Sequence, residues 1–168
     1  MGDLHKPVLV QEIREIMKFQ ADKCYLDCTI GTGGLAYYIL TDSSPTGKLI
    51  GLDCDSEALN IAKRRLSQFG DRVVLAYGNF RDLHDVLNKI GIREVDGVVF
   101  DLGVSSLQLD TPQRGFSFQN DGPLDMRMDR QLKESARDLL KKLNWQQLRE
   151  VFEKNGEEKY AQKIAKAI

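Results

Sequence analysis

Chemistry in this chain concentrates where apolar runs stop. At residues 25–40 (YLDCTIGTGGLAYYIL), a short buried-strand pattern carried by Tyr25, Leu26 and Cys28, with Asp27 among them, breaks at Gly31, Gly33 and Gly34 and then opens a helical run. Glycines at such a junction leave no Cβ in the way, so bare main-chain N–H groups and the positive end of a helix can approach a ligand. The spacing is G-x-G-G, without the later glycine of G-x-G-x-x-G that lets helix pack closely on strand in dinucleotide enzymes. A glycine turn of this kind can also be only a tight connection, so its meaning depends on the residues downstream of it. Asp53 stands about twenty residues later at the end of a second apolar run, where open α/β folds place an acid that binds the hydroxyls of a ribose. Its plainer reading is a neighbour of a helix cap, although Asp55 or Ser56 already fills that capping role.

Two further strand ends carry side chains of interest. Phe80 stands just past the third apolar run (RVVLAY, 72–77), where it is either a flat partner for an aromatic ring or plain core. The fourth run, 95–100, is almost wholly apolar and leads into Asp101 and the sequence DLGVSS. That suits a central parallel strand whose carboxyl end faces a ligand crevice. His5, just ahead of the first helix, is a surface residue unless the chain folds it toward that crevice.

These side chains need a frame, and the periodicity supplies one. Val10, Ile13, Ile16 and Met17 have helical spacing after Pro7, which suits a first turn. Strands are expected at 24–28, 48–52, 72–77 and 95–100. Helices are expected between them, over 35–40, from Ser56 to Phe69 and over 81–90. Strand and helix in alternation predict an open parallel α/β sheet. From Leu107 to Asp129 no period persists, yet Leu107, Leu109, Phe116, Phe118, Leu124, Met126 and Met128 make the stretch too apolar for disorder. An ordered loop covering a site is expected there. Helices resume from Ser135. Leu139, Leu140 and Leu143 share one face; Trp145, Leu148, Val151 and Phe152 are inward on the next helix, and Tyr160, Ile164 and Ala165 on the last.

The 168 residues are about one domain long and of ordinary globular composition. No apolar run approaches membrane-spanning length and no signal peptide is present, which predicts a cytoplasmic protein with no membrane partner. Cys24, Cys28 and Cys54 form no C-x-x-C and read as reduced thiols; two histidines, far apart, cannot make a histidine-based metal site without many carboxylate helpers. Net charge is −1, but residues 130–168 carry ten Lys/Arg against six Asp/Glu. That basic segment is either a phosphate-binding surface or an ordinary solvated helix face.

Five blocks together carry a resemblance: HKPVL at 5–9, LDCTIGTGG at 26–34, GLDCDSEAL at 51–59, DGVVFDLGVSSLQLD at 96–110 and RGFSFQNDGPLDMRMD at 114–129. With GEEKYAQKIAKAI at 156–168 they span almost the whole chain, which resembles the cytosine-N4 methyltransferases of small-subunit ribosomal RNA, the RsmH/MraW type. The resemblance implies a Rossmann-like, S-adenosylmethionine-dependent methyltransferase sheet, with its N-terminal part at 1–130 and the start of a helical insertion domain at 131–168. It implies S-adenosyl-L-methionine as cofactor, contacted by Gly33, Gly34, Leu35, Asp53, Phe80, Asp101 and Gln108, and ribosomal RNA or an assembled small subunit as partner. Metal is not part of the pattern. Family members are much longer, so the chain is expected to be a fragment that stops inside the insertion, in a bacterial or an organellar protein.

The implied reaction needs a nucleophile held in line with an electrophilic methyl group and one proton removed. A carboxylate accepting an N–H of the cytosine amino group meets that need. Asp101 is the first candidate, with Ser105 or Ser106 orienting the amino group; its other role is a cofactor contact only. Phe116, Phe118 and Arg114 are expected to hold a flipped base by stacking. Leu35 stands where the family usually has His, and Leu35→His is expected to tighten cofactor binding. Two alternatives remain open: a cofactor- or RNA-binding piece without turnover, and a nicotinamide-dependent oxidoreductase, against which G-x-G-G speaks.

Overall fold

The computed structural model describes residues 7–168, so His5 lies outside the described residues. Contacts divide the chain into two compact units, Met1–Leu107 and Gln108–Ile168.

The first unit is built on four parallel strands, β1 (Cys24–Asp27), β2 (Lys48–Asp53), β3 (Val73–Tyr77) and β4 (Gly97–Val99), in the order β3-β2-β1-β4. Four helices accompany them: α1 (Val10–Met17), α2 (Gly34–Asp42), α3 (Ser56–Arg65) and α4 (Leu83–Lys89). Because strand side chains alternate, β1 and β2 feed two cores. Tyr25 and Leu49 join Leu35, Ile39, Leu40, Ala62 and Leu66 from α2 and the α3 segment, whereas Leu26, Cys28 and Ile50 meet Leu83, Leu87 and Ile90 of the α4 segment. The chain steps from β1 to β2 to β3 in one direction and then crosses back to β4. The strand order therefore reverses between β1 and β4, which is where an open α/β sheet opens its crevice.

All four expected strands form, with shifted ends. β4 is only Gly97–Val99 because Asp96 is used differently. Its N–H donates to the Cys24 carbonyl (2.7 Å), and its carboxylate accepts from Cys24 N–H and Lys23 Nζ at 2.8 Å each. α3 stops short of Phe69, giving way to a 3-10 segment, Ser67–Arg72, bent at Gly70. Asp55 does cap α3, accepting from Glu57 N–H at 3.1 Å.

The second unit contains most of α5 (Ser106–Asp110), then α6 (Ala136–Lys142), α7 (Trp145–Gly156) and α8 (Ala161–Ala167). The stretch without periodicity is ordered by its own polar contacts. Arg114 is buried and donates to the carbonyls of Arg127 (3.0 Å) and Met128 (2.9 Å). Asp125 pairs with Arg127 at 2.7 Å, which lowers its carboxyl to about 2. Capping boxes start α6 (Ser135 with Asp138) and α7 (Asn144 with Gln147). One expectation fails here: Tyr160 is 70% exposed and Ile164 39%, while Ala161 and Ala165 form the inward stripe. Tyr160 is the N-cap of α8, outside the helical repeat, so a period projected through it points the wrong way. Trp145 and Val151 also stay partly in solvent, and Leu148 alone on that helix is fully inside.

Candidate functional site

The glycine turn begins where β1 leaves the sheet. Cys28 N–H still donates to Val99 of β4 (2.9 Å), but two residues later Ile30 N–H donates to Leu52 of β2 (3.0 Å), so the chain veers from one neighbour to the other. Gly33 then caps α2 with φ 79°, a left-handed conformation, and with no side-chain cap. A Cβ on Gly33 would lie 3.2 Å from Leu66 Cδ1 and 3.4 Å from the Ala62 backbone, and one on Gly34 only 2.6 Å from Pro7 Cγ. Both positions therefore require glycine, and the first N–H groups of α2 emerge without a capping side chain.

Asp53, at the end of β2, braces this turn. Its Oδ2 accepts from Gly31 N–H at 2.8 Å and its Oδ1 from Asp55 N–H at 2.9 Å. Burial raises the carboxyl, opposed by those two N–H bonds. Cys54 N–H also bonds the carboxyl, and its remaining acceptor capacity is open to a ligand hydroxyl. Leu35 contrasts with it: the side chain is 7% exposed and packed in the core. Only its main-chain N–H, in the first turn of α2, is in a position to serve a ligand. This burial weighs against the expected gain from Leu35→His, since an imidazole there would enter apolar packing.

Phe80 is 44% exposed, not plain core, and its ring meets Phe100 edge-on, with centroids 5.7 Å apart and planes at 89°. Phe100 is 48% exposed, and the sequence pattern does not mark it out. Two half-exposed aromatic rings fixed at right angles leave faces free for a flat ligand. Asp101, exposed beyond β4, is held by its main chain: its N–H donates to Thr29 Oγ1 at 2.7 Å. Ser105 is half-buried just ahead of α5, and Ser106 opens that helix. Gln108 belongs to the second unit, where it is 4% exposed on α5.

The residue that sequence reading passes over is Asp27. It is 2% exposed at the end of β1, and Thr29 N–H donates to its Oδ1 at 3.1 Å. Burial pushes its carboxyl up to about 7, with the charges of Asp53 and Asp101 adding in the same direction and hydrogen bonds from Thr29 opposing. The sign available in the sequence is an acid inside an apolar strand, which needs a buried partner. Cys28 beside it is inert, its thiol raised to about 11 by burial and by Asp27. Arg114 is not available for stacking on a base, because its guanidinium is buried and committed to carbonyls; Phe118, by contrast, is wholly exposed.

An open parallel sheet with an uncapped glycine-led helix, an acid at the second strand end and aromatic rings past the third and fourth strands defines a Rossmann-like α/β unit. The chain belongs to the MraW methylase family, whose model matches residues 3–168. It is 47% identical over 164 residues to the ribosomal RNA small subunit methyltransferase H of Syntrophotalea carbinolica, covering 98% of this chain and 52% of that protein. The chain thus spans about half the length of the curated relative it matches. Among solved structures, it is similar to precorrin 8W decarboxylase from Methanobacterium thermoautotrophicum (20% identity, TM-score 0.49, 64% of this chain and 54% of that one). It is also similar to an S-adenosylmethionine-dependent O-methyltransferase from Thermotoga maritima (15% identity, TM-score 0.47, 61% and 37%). No helix among the described residues is long and apolar enough to cross a membrane.

Proposed function

We propose that the protein containing this chain methylates the N4 amino group of a cytidine in small-subunit ribosomal RNA, and that this chain carries its S-adenosylmethionine site. The observation that supports this reading best is the brace of Asp53 on Gly31, which puts a carboxyl suited to a diol beside an uncapped helix start. The cradle fits a nucleoside-bearing ligand: Gly33 and Gly34 admit close approach, Asp53 has acceptor capacity open to a ribose hydroxyl, and Phe80 with Phe100 offers ring faces for adenine. The bound cofactor would supply an electrophilic methyl group. Asp101 then accepts a proton from the target amino group or contacts the cofactor, and Ser105 orients that amino group. Gln108 is assigned to the cofactor on the family pattern.

RNA as partner is supported by the second unit. Lys159, Lys163 and Lys166 line one shallow depression with exposed Tyr160, and Lys166 Nζ lies 4.7 Å from the Trp145 ring centroid. Cationic side chains interleaved with aromatic faces suit a phosphate backbone with unstacked bases. The exposed side chains of Val98, Phe100, Leu102 and Val104 favour a second reading for the chain by itself, cofactor binding with little turnover. Calorimetric titration with S-adenosylhomocysteine and, separately, with NAD tests the assignment. Binding of the first alone is expected; binding of NAD alone, or of neither, refutes it.

A further inference from the structure

We propose that Thr29 is a positioning residue that bridges the buried Asp27 and Asp101, its own N–H donating to the Asp27 carboxyl and its hydroxyl oxygen accepting the main-chain N–H of Asp101, fixing Asp101 across the crevice from the glycine turn; this rests on the reading of that crevice as the cofactor site.

The need for such a bridge follows from the path of the chain. The β1–β4 ladder ends at the bond from Cys28 N–H to Val99, because the next residues of β1 turn toward β2. Phe100 and Asp101 therefore run past the last main-chain partner that β1 can give them. At that point Thr29 Oγ1 accepts the Asp101 N–H at 2.7 Å. Thr29 is itself tied to the end of β1, since its N–H donates to Asp27 Oδ1 at 3.1 Å. Orientation is thus fixed in sequence, from Asp27 through Thr29 to Asp101. Without the hydroxyl, the Asp101 N–H would have only water, and the segment after β4 would lose its tie at the point where the strand order reverses. Serine would keep the bridge; valine, of the same shape, would not.

The test uses this chain with Thr29→Val, Thr29→Ser and Asp101→Ala. Hydrogen exchange of the Asp101 amide reads the bridge directly. Thr29→Val is expected to lower its protection by about tenfold or more, and Thr29→Ser to stay within about twofold, as for loss of one ordinary hydrogen bond. Calorimetry with S-adenosylhomocysteine reads the consequence: about a five- to tenfold weaker Kd in Thr29→Val, largely restored in Thr29→Ser. The weakening should vanish when Thr29→Val is made in an Asp101→Ala background, a coupling that a merely structural defect would not show. Unchanged Asp101 protection in folded Thr29→Val overturns the bridge. Lost protection with unchanged affinity, or a weakening that persists without the Asp101 side chain, overturns the positioning role. If the unaltered chain binds no S-adenosylhomocysteine, the cofactor reading falls separately, and exchange alone still decides whether the bridge exists.

Discussion

Replacing Asp27 by Asn should flatten the pH dependence of stability of the first unit. Asp27 is 2% exposed, and burial has lifted its carboxyl from an ordinary 3.8 to about 7. In the unfolded chain it loses its proton near pH 4; in the folded chain it keeps that proton to about pH 7. Between those values the folded state binds more protons than the unfolded state, so stability falls as pH rises. The contribution is fully present below about pH 4 and gone above about pH 7. From pH 5 to pH 8 only the two units between 5 and 7 count, worth roughly 3 kcal/mol at about 1.4 kcal/mol per unit. Asn has the same shape, can still accept the Thr29 N–H and does not titrate. Asp53 is also raised by burial and changes stability in the same direction, and it is present in both proteins. The Asp125–Arg127 pair acts near pH 2–4, below the window.

The assay is urea unfolding at pH 5 and pH 8, followed by far-ultraviolet circular dichroism. Fluorescence of the single tryptophan, Trp145, is read separately because it lies in the second unit. Unaltered protein should lose roughly 3 kcal/mol more than Asp27→Asn between the two pH values. Equal losses in the two proteins would refute a buried, near-neutral carboxyl at the end of β1.

Other outcomes rest on the same frame. Asp53→Ala should weaken S-adenosylhomocysteine binding by about ten- to a hundredfold, from the roughly 1.5–3 kcal/mol of a charged hydrogen bond; an unchanged calorimetric Kd would remove Asp53 from the site. Asp53→Asn should do nearly as much harm, because its NH2 must face either the Gly31 or the Asp55 N–H, both now donors to the carboxylate. Leu35→His should lower stability by about 1–3 kcal/mol through polar burial, without tightening binding, and a tighter Kd in a folded variant would contradict the packing seen here. Phe80→Ala and Phe100→Ala should each weaken binding several-fold and by similar amounts, since each ring orients the other; loss in only one of them would separate the pair.

Much of the frame is legible in the sequence because it rests on local pattern. The strand runs end in Asp53 and near Asp101, the glycines sit where a positive φ and close packing demand them, and Asp55 is a cap that the sequence announces two residues ahead of Glu57. What escapes is non-local. Nothing within 25–40 says that Thr29 accepts a bond from a residue 72 positions away, since that depends on β4 lying beside β1 and on the ladder ending one residue too soon. The Leu35 side chain answers to the core between α2 and the sheet, a demand that the glycine spacing ahead of it does not announce. Arg114 fails as a stacking residue for a related reason: an arginine in a segment without periodicity looks exposed, yet such a segment can be ordered only if its carbonyls find donors, and this guanidinium supplies two. The same reasoning separates the two acids at the ends of the central strands. Asp53 is held by N–H donors from its own glycine turn and cap, so its role can be read from the residues around it. Asp27 owes its raised carboxyl first to burial, with the charges of Asp53 and Asp101 adding to it, and only the assembled sheet edge brings those together.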